Sequence, residues 1–196
     1  LSKSLKYGIK KFVFSSSAAV YGIPKYTPID EKHQLDPSNY YGYTKLLIER
    51  NLEWFSRLKN FRFASLRYFN AAGYDSNKEI RGLENNSQNL IPILMEVASG
   101  ERDKVKIYGN DYKTRDGTGI RDYVHVSDLA KAHIDALDYL HNNRKNLSVN
   151  LGVGKGYSVF EVIKKVEEIT NVKIDFEVVA RRFGDSDEVI ADSSNA

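Results

Sequence analysis

A tyrosine and a lysine four residues apart have the types and spacing for acid–base chemistry. Tyr41 and Lys45 stand in the run Tyr-Gly-Tyr-Thr-Lys, and helix residues at positions i and i+4 lie on the same face. An ordinary tyrosine titrates near pH 10, so about one phenol in a thousand is ionised at neutral pH. A neighbouring ammonium favours the phenolate, which would act as a general base. This spacing is common by itself, and a packed tyrosine beside a surface lysine is the simpler interpretation.

A serine run follows the first apolar segment of the chain. Residues 11–14, Lys-Phe-Val-Phe, lead into Ser15, Ser16 and Ser17. Short apolar runs of strand formers are typical of buried strands in parallel sheets, and ligands bind at the carboxyl ends of such strands. A serine hydroxyl there could meet Tyr41 and Lys45 in one site.

The elements around these residues predict an α/β fold. A helix ending before Gly8, a strand over 11–14, a helix over 41–59 and a strand over 61–68 are expected, with a turn at 70–73. Strand, helix and strand in this order imply a right-handed parallel crossover. A long loop over 22–39 holds three prolines, and long loops in compact domains are often functional.

The second half of the chain predicts a smaller layer of alternating helices and strands. Ser158 and Glu161 have the spacing of a capping box that opens a helix, and Ser127 is expected to cap another. The predicted order is a polar loop to 88, a helix over 90–97, a strand over 105–108, turns over 110–119, a helix over 127–140, a strand over 149–151, a helix over 158–169, a strand over 173–179 and a polar tail from 181.

The helix over 41–59 has two apolar arcs when residues are placed at about 100° per step. The first arc, expected to point inward, holds Tyr41, Lys45, Ile48, Leu52 and Phe55; the second holds Leu47, Trp54 and Leu58. Because the second arc cannot pack on the same sheet as the first, we expect it to meet a partner helix in a homodimer. Burial under another part of the protein is the alternative.

Composition excludes several classes of function. The chain has 196 residues, 41% hydrophobic and 28% charged, with a formal net charge of +3. This balance predicts a folded, soluble chain and no nucleic-acid partner. With no cysteine and no long apolar run, disulfide scaffolds and membrane spans are not expected and the cytoplasm is the default compartment. The four histidines have no zinc spacing, so no metal site is expected.

A Gly-rich loop at 151–157 has the wrong spacing for a dinucleotide fingerprint. Gly152, Gly154 and Gly156 follow a predicted strand and precede a helix. The fingerprint needs its third glycine three positions after the second, and Tyr157 stands there. We therefore expect no dinucleotide role for this loop.

Long runs of the sequence resemble the UDP-glucose 4-epimerase family of the extended short-chain dehydrogenase/reductases. A serine, a tyrosine and a lysine at the ends of parallel strands are the constellation of that superfamily. The resemblance covers nearly the whole chain and is carried, in the family's order, by residues 16–22, 41–45, 66–73, 89–92, 107–112, 114–126 and 150–157.

The resemblance implies the later part of a doubly wound parallel (Rossmann-type) sheet with a smaller α/β substrate domain. Residues 1–75 would be the C-terminal half of the NAD-binding domain, and 76–196 the UDP-sugar-binding domain, with 120–145 returning to the first. It also implies a fragment, because the Gly-rich segment that holds the NAD pyrophosphate does not precede Leu1 and the family's closing segment does not follow Ala196. Such a piece would be inactive alone.

The activity implied is interconversion of UDP-glucose and UDP-galactose at C4, with NAD as cofactor and a UDP-sugar as the small-molecule partner, in galactose metabolism. By resemblance Tyr41 would take the proton of the sugar 4-hydroxyl, Lys45 would assist it and bind the nicotinamide ribose, and Ser17 would hydrogen-bond the sugar oxygen. The implied cofactor contacts are Ser15, Ser16, Tyr41, Lys45 and Phe69. The implied UDP-sugar contacts are Ser17, Tyr41, Asn70, Asn89, Leu90, Lys106, Tyr108, Arg121, Arg182, Asp185 and Val189.

Two alternatives and one extension accompany this interpretation. A sugar-nucleotide dehydratase or decarboxylase of the same fold would need an extra acid near the serine, and the Ser15–Ser17 run supplies none. An inactive fragment that only binds or packs is the other alternative. In the family, the position of Val189 lies beside C2 of the sugar, so its small side chain predicts that N-acetylated UDP-hexosamines are also accepted.

Overall fold

The computed structural model describes residues 1–80 and 87–196, and the part of the predicted polar loop at 81–86 lies outside the described residues. The helices are α1 (Ser2–Lys6), α2 (Tyr40–Lys59), α3 (Leu90–Ala98), α4 (Val126–Asn142) and α5 (Val159–Thr170), with a 3₁₀ turn at Ala18–Tyr21. The strands are β1 (Lys11–Ser17), β2 (Arg62–Tyr68), β3 (Asn70–Ala72), β4 (Val105–Tyr108), β5 (Ile120–His125), β6 (Leu147–Leu151), β7 (Gly156–Ser158), β8 (Phe176–Val179) and β9 (Glu188–Val189).

The main sheet has the order β1-β2-β6, and both of its strand pairs are parallel. Strand β1 is longer than its apolar residues predict, because the three serines continue the pairing as far as Ser17 opposite Tyr68. Helix α2 connects β1 to β2 as the predicted parallel crossover. The predicted α/β fold with a parallel sheet is confirmed.

Helices α2 and α4 both pack against β1 and β2. The α4 side of the core is built on Leu66, Leu129, Leu140 and Val149. Ser127 does not cap α4 as predicted: His125 is the N-cap residue, and its Nδ1 accepts the Ser127 N–H at 3.2 Å. The helix therefore begins one residue after β5 ends.

The chain after the main crossover forms a second sheet, β3-β5-β7, in which β9 also pairs with β5. Sequence patterns did not predict these short strands; 70–73 was expected to be a turn and 181–196 a polar tail. Their pairing is decided by long-range contacts: the buried Asp122 carboxylate accepts N–H groups of Val153, Gly154 and Ala191. That one side chain holds the Gly-rich loop and the tail against β5.

A third unit joins α3, α5 and the parallel pair β4-β8 around an apolar core of Leu94, Ile107, Ile163 and Ile174. The predicted capping box at the start of α5 is confirmed: Ser158 Oγ accepts the Glu161 N–H at 3.1 Å, and Glu161 Oε2 accepts the Ser158 N–H at 2.9 Å.

Residues 1–80 and 87–196 contain neither a membrane-spanning helix nor a cluster of metal ligands. No helix there is both long enough and apolar enough to cross a bilayer. No group of three or more histidine, aspartate or glutamate side chains in those ranges is arranged to hold a metal ion.

Candidate functional site

Helix α2 brings Tyr41 and Lys45 to the carboxyl end of β1. Asn39 caps the helix by accepting the Gly42 N–H at 2.9 Å. A Cβ on Gly42 would lie 2.3 Å from the Ala19 carbonyl oxygen, so only glycine allows the helix to approach the 3₁₀ turn this closely. The glycine between the two tyrosines of the motif therefore places the helix start beside the end of the serine run.

The Lys45 ammonium lies between Tyr41 and the strand. Its Nζ is 5.4 Å from the centre of the Tyr41 ring and donates a hydrogen bond of 2.9 Å to the Ser15 carbonyl. The Tyr41 side chain itself is 54% exposed. A phenol open to a ligand, with a fixed cation beside it, can accept a proton as the phenolate.

The three serines have three different surroundings. Ser17 Oγ accepts the Ala19 N–H at 3.2 Å, which leaves its own proton free to donate to a ligand in the cleft. Ser15 Oγ is 2.9 Å from His133 Nε2 on α4. Ser16 is fully buried and donates a 2.5 Å hydrogen bond to Glu49. Alternation along β1 turns the Ser16 side chain under α2, so the predicted cofactor contact of Ser16 would have to be made by its backbone.

A cleft of three connected recesses lies beside these residues. The first, of about 350 Å³, is lined by Ser17, Tyr41, Phe69 and Asn70 among others. The second, of about 210 Å³, shares Ser17, Phe69 and Asn70 with it and adds Val189. The third, of about 160 Å³, shares Asn70 with both. The three recesses therefore share a wall at Asn70, and Tyr41 lines the first of them.

The third recess is polar and positively charged. Arg182 Nε donates to Asp185 Oδ2 at 2.9 Å, and Arg121 NH2 lies 3.7 Å from Asp185 Oδ1. The Arg182 guanidinium also stacks 4.7 Å from the centre of the Tyr108 ring. Two arginines that share one carboxylate leave a net positive charge, which suits a phosphate-bearing ligand.

Burial changes the titration of two side chains in the cleft wall. It lowers the pKa of the Arg121 guanidinium, an effect that the Asp185 charge opposes. It raises the pKa of Tyr123 to about 12, although the nearby Arg121 charge acts in the other direction. Tyr123 therefore keeps its proton at physiological pH, and its hydroxyl can donate a hydrogen bond to a ligand.

The structure places most of the predicted substrate contacts in this cleft and adds two tyrosines. Tyr112 and Tyr123 line it, although neither is among the predicted site residues. Tyr123 belongs to the run 114–126 that carries the family resemblance, and it lies two residues after Arg121 and thus on the same face of β5. Phe69 is buried in the wall between the first two recesses. The predicted contacts that line one or more recesses are Ser17, Tyr41, Phe69, Asn70, Asn89, Leu90, Lys106, Tyr108, Arg121, Arg182, Asp185 and Val189.

The Gly-rich loop at 151–157 does not offer a phosphate cradle. The N–H groups of Val153 and Gly154 both donate to the Asp122 carboxylate at 2.9 Å. A Cβ on Gly152 would lie 2.5 Å from Ala191 and 2.7 Å from Asp122. The glycines serve close packing around a buried carboxylate, so their amides are not free for an anion.

A larger groove of about 940 Å³ lies between α3 and α5 but lacks converging polar groups. Its walls are largely apolar, with Met95, Val162 and Ile169 among them. Its charged side chains have partners: Arg115 pairs with Glu161, Lys165 pairs with Glu168, and Lys155 lies over the Tyr157 ring. Its size alone does not make it a catalytic site, because chemistry requires placed polar groups.

Comparisons with known proteins show which family the chain is similar to. The model of the NAD dependent epimerase/dehydratase family matches residues 1–152. The UDP-glucose 4-epimerase of Halalkalibacterium halodurans is 46% identical over 196 residues, which are all of this chain and 59% of that protein. The chain thus spans about three fifths of that relative's length.

Two solved structures show the same likeness in three dimensions. The crystal structure of UDP-glucose 4-epimerase from Brucella ovis in complex with NAD is 39% identical, with a TM-score of 0.94 over 100% of this chain and 60% of that one. The structure of the UDP-Glc/GlcNAc 4-epimerase from Campylobacter jejuni is 40% identical, with a TM-score of 0.78 over 99% of this chain and 59% of that one.

Proposed function

Because this chain belongs to the NAD dependent epimerase/dehydratase family, we propose that it carries the catalytic residues of a UDP-glucose 4-epimerase. The reaction is the interconversion of UDP-glucose and UDP-galactose by inversion at C4 through a 4-keto sugar. The observation that carries the proposal is the Tyr41–Lys45 pair: Tyr41 and Ser17 line the first recess, and the two arginines line recesses that share Asn70 with it. The names of the relatives at 39–46% identity support it.

The residues at the β1 end fit the nicotinamide part of NAD. The Lys45 ammonium can bind ribose hydroxyls, and the Phe69 and Tyr41 rings supply flat walls beside it. Ser15 would approach the cofactor through the strand end, whereas the Ser16 side chain would not contact it. When bound, NAD would supply a hydride acceptor that is regenerated within one turnover, so no external oxidant is consumed.

The protein side of the mechanism is a proton transfer. Tyr41, as the phenolate stabilised by Lys45, accepts the proton of the sugar 4-hydroxyl as that carbon becomes a ketone. Ser17 donates a hydrogen bond to the same sugar oxygen and steadies it. When the ketone is reduced from its other face, the Tyr41 hydroxyl returns the proton to the 4-oxygen. Tyr41 therefore ends each turnover in its starting state.

The third recess holds the nucleotide. Arg121 and Arg182 bind the diphosphate. Both also contact the single Asp185 carboxylate, which neutralises only one of their two positive charges. The protonated Tyr123 donates a hydrogen bond from the cleft wall. The site for uridine and its ribose is completed by the other predicted contacts that line this recess, which are Asn70, Asn89, the Leu90 backbone, Lys106 and Tyr108.

We extend the proposal to N-acetylated UDP-hexosamines on the basis of Val189. Its small side chain lines the second recess together with Ser17 and Asn70. A related protein at 40% identity is described as acting on both UDP-Glc and UDP-GlcNAc. We also propose the division into domains at 75/76, with 120–145 returning to the first, and the packing of α4 on β1 and β2 supports this return. Because β6 (Leu147–Leu151) pairs with β2 in the main sheet, the first domain has to extend past residue 145 to the end of β6.

The direct test is conversion of substrate by the purified full-length gene product. Incubated with UDP-galactose and NAD, it should produce UDP-glucose without net formation of NADH, as followed by proton NMR of the anomeric signals. Loss of water or carbon dioxide from the sugar, detected by mass spectrometry, would instead identify a dehydratase or decarboxylase. Binding of UDP-sugar without any conversion would favour a protein that only binds.

A homodimer is expected through the exposed face of α2. Trp54 and Leu58 are 59% and 67% exposed, and Leu47 is 48% exposed. Pairing two copies of this face would remove apolar surface from water, which favours association. We expect light scattering to give twice the protomer mass, and Trp54→Glu with Leu58→Glu to give the protomer mass. A parent protein that stays monomeric at a concentration on the order of 100 µM, where even a weak dimer would form, would contradict this expectation.

A further inference from the structure

A row of buried polar side chains crosses the main sheet one residue before the strands reach the cleft. Ser16, Arg67 and Asn150 are register partners on β1, β2 and β6. All three are buried, with exposed fractions of 0%, 5% and 0%. The next residue on β1 is Ser17, which lines the cleft. The row therefore forms the floor beneath the proposed catalytic residues.

Glu49 of α2 reaches down to this row and is itself only 2% exposed. Its carboxylate accepts three hydrogen bonds from Arg67, at 2.6, 3.0 and 3.2 Å, and one from Ser16 Oγ at 2.5 Å. Arg67 NH1 donates in turn to the Tyr21 hydroxyl at 3.1 Å, and that hydroxyl donates to Asn150 at 2.7 Å. The network thus joins α2 to all three strands of the sheet.

The same helix face carries the proposed catalytic pair. Tyr41, Lys45 and Glu49 follow one another at spacings of four residues, so each lies about 6 Å farther along the helix than the one before it. Each step of four residues also turns about 40° around the axis, and exposure falls from Tyr41 at the cleft to the buried Glu49. A rotation or slide of α2 that Glu49 prevents would displace Tyr41 and Lys45 directly.

Stability by itself does not account for this network. A buried ion pair costs about as much in desolvation as it returns, and an apolar replacement of similar volume is often neutral or better. Burial acts to lower the pKa of the Arg67 guanidinium, but the hydrogen bonds and charge of Glu49 outweigh it and raise that pKa. Arg67 therefore stays charged, and its directed hydrogen bonds to Glu49 are satisfied in one relative position of helix and sheet.

We propose that Glu49 is a positioning residue, which through Arg67 and Ser16 sets the register of α2 on the sheet so that Tyr41 and Lys45 face the cleft beside Ser17. The kinetic consequence rests on the proposed function, whereas the structural consequence does not. In the intact network the Lys45 Nζ to Ser15 carbonyl distance is 2.9 Å.

The test replaces the network by apolar groups in the full-length protein, with the triple variant Ser16→Ala, Glu49→Leu, Arg67→Met. Its melting temperature should stay near that of the parent, because no charge is left buried and unpaired. We expect kcat to fall by on the order of tenfold or more, since small misplacements of reacting groups cost rate steeply. The acid limb of the kcat pH profile should move to higher pH, while the affinity for UDP stays the same.

Leu140→Ala is the matched control. Leu140 is fully buried on α4, on the other side of the sheet, so it should lower the melting temperature while kcat of the folded protein and its pH profile stay unchanged. A triple variant that is folded and has the parent kcat and pH profile would overturn the proposal. If the triple variant does not fold, Ser16→Ala alone is measured, and an unchanged kcat and pH profile there would equally overturn it.

A crystal structure of the triple variant separates this proposal from the proposed function. We expect Lys45 Nζ to lie beyond hydrogen-bond distance of the Ser15 carbonyl and α2 to be shifted along or around its axis. Retention of the contact at its present length would overturn the positioning role, whatever the parent catalyses. A parent without epimerase activity would overturn only the proposed function.

Discussion

Tyr41→Phe should lower kcat for epimerisation by about a thousandfold or more, which is within the usual contribution of a general base, and leave the affinity for UDP-glucose nearly unchanged. The substitution removes only the oxygen that accepts the proton. The ring that lines the first recess is kept, and the arginines that would hold the diphosphate lie in a different recess. Steady-state kinetics and calorimetric titration with UDP-glucose measure the two effects separately.

Tyr43→Phe is the matched control, because Tyr43 belongs to the same motif and is 53% exposed, almost as much as Tyr41. It does not line the cleft recesses, so kcat should stay within about twofold of the parent, as is usual for surface substitutions. A loss of binding equal to the loss of rate in Tyr41→Phe would remove the general-base role. A similar loss in both variants would point to a disturbed helix start.

Val189→Tyr should lower kcat/KM for the N-acetylated UDP-hexosamines by roughly a hundredfold while UDP-glucose loses much less, because steric overlap cannot be relieved cheaply in a packed pocket. Val189 is held by the pairing of β9 with Arg121 on β5. Behind it lies the buried cluster of Phe69, Ile29 and Ala191. A larger ring at this position has no room to retreat and must enter the recess of about 210 Å³ that it shares with Ser17.

Val189→Ala is the companion variant, since it keeps the recess open and should retain both activities. The ratio of the two kcat/KM values in each variant measures the effect independently of protein concentration. If the parent refuses the N-acetylated sugar, or if the Tyr substitution reduces both sugars equally, Val189 does not control access at C2. The proposed C4 epimerisation would be unaffected by either result.

Local patterns in the sequence determined several features correctly. The spacing of four between Tyr41 and Lys45 predicts that they lie together on one helix, and both belong to α2. The capping box of Ser158 and Glu161 is also a contact within one turn. The strand over 62–68 followed from a short apolar run between turn signals. In each case the deciding interactions lie within a few residues of one another in the chain.

The tertiary structure decided what depends on residues far apart. Glutamate is a residue type that is usually exposed, but Glu49 is buried, and Arg67, 18 residues away, reaches it from the next strand. The inward face of α2 accordingly includes Gly42, Glu49 and Leu52, whereas Tyr41 and Ile48, expected to point inward, are partly exposed.

The polar tail shows the same division between local and long-range control. Glu188 and Val189 have no strand signal of their own, yet they pair with β5, nearly 70 residues earlier, and bring Val189 into the cleft. The local sequence could therefore predict which side chains are candidates for the chemistry. Which of the three serines faces the cleft, which charges are buried and what closes the second recess were decided by packing between distant segments, because a short strand or a buried charge is stable only with the partner that the fold supplies.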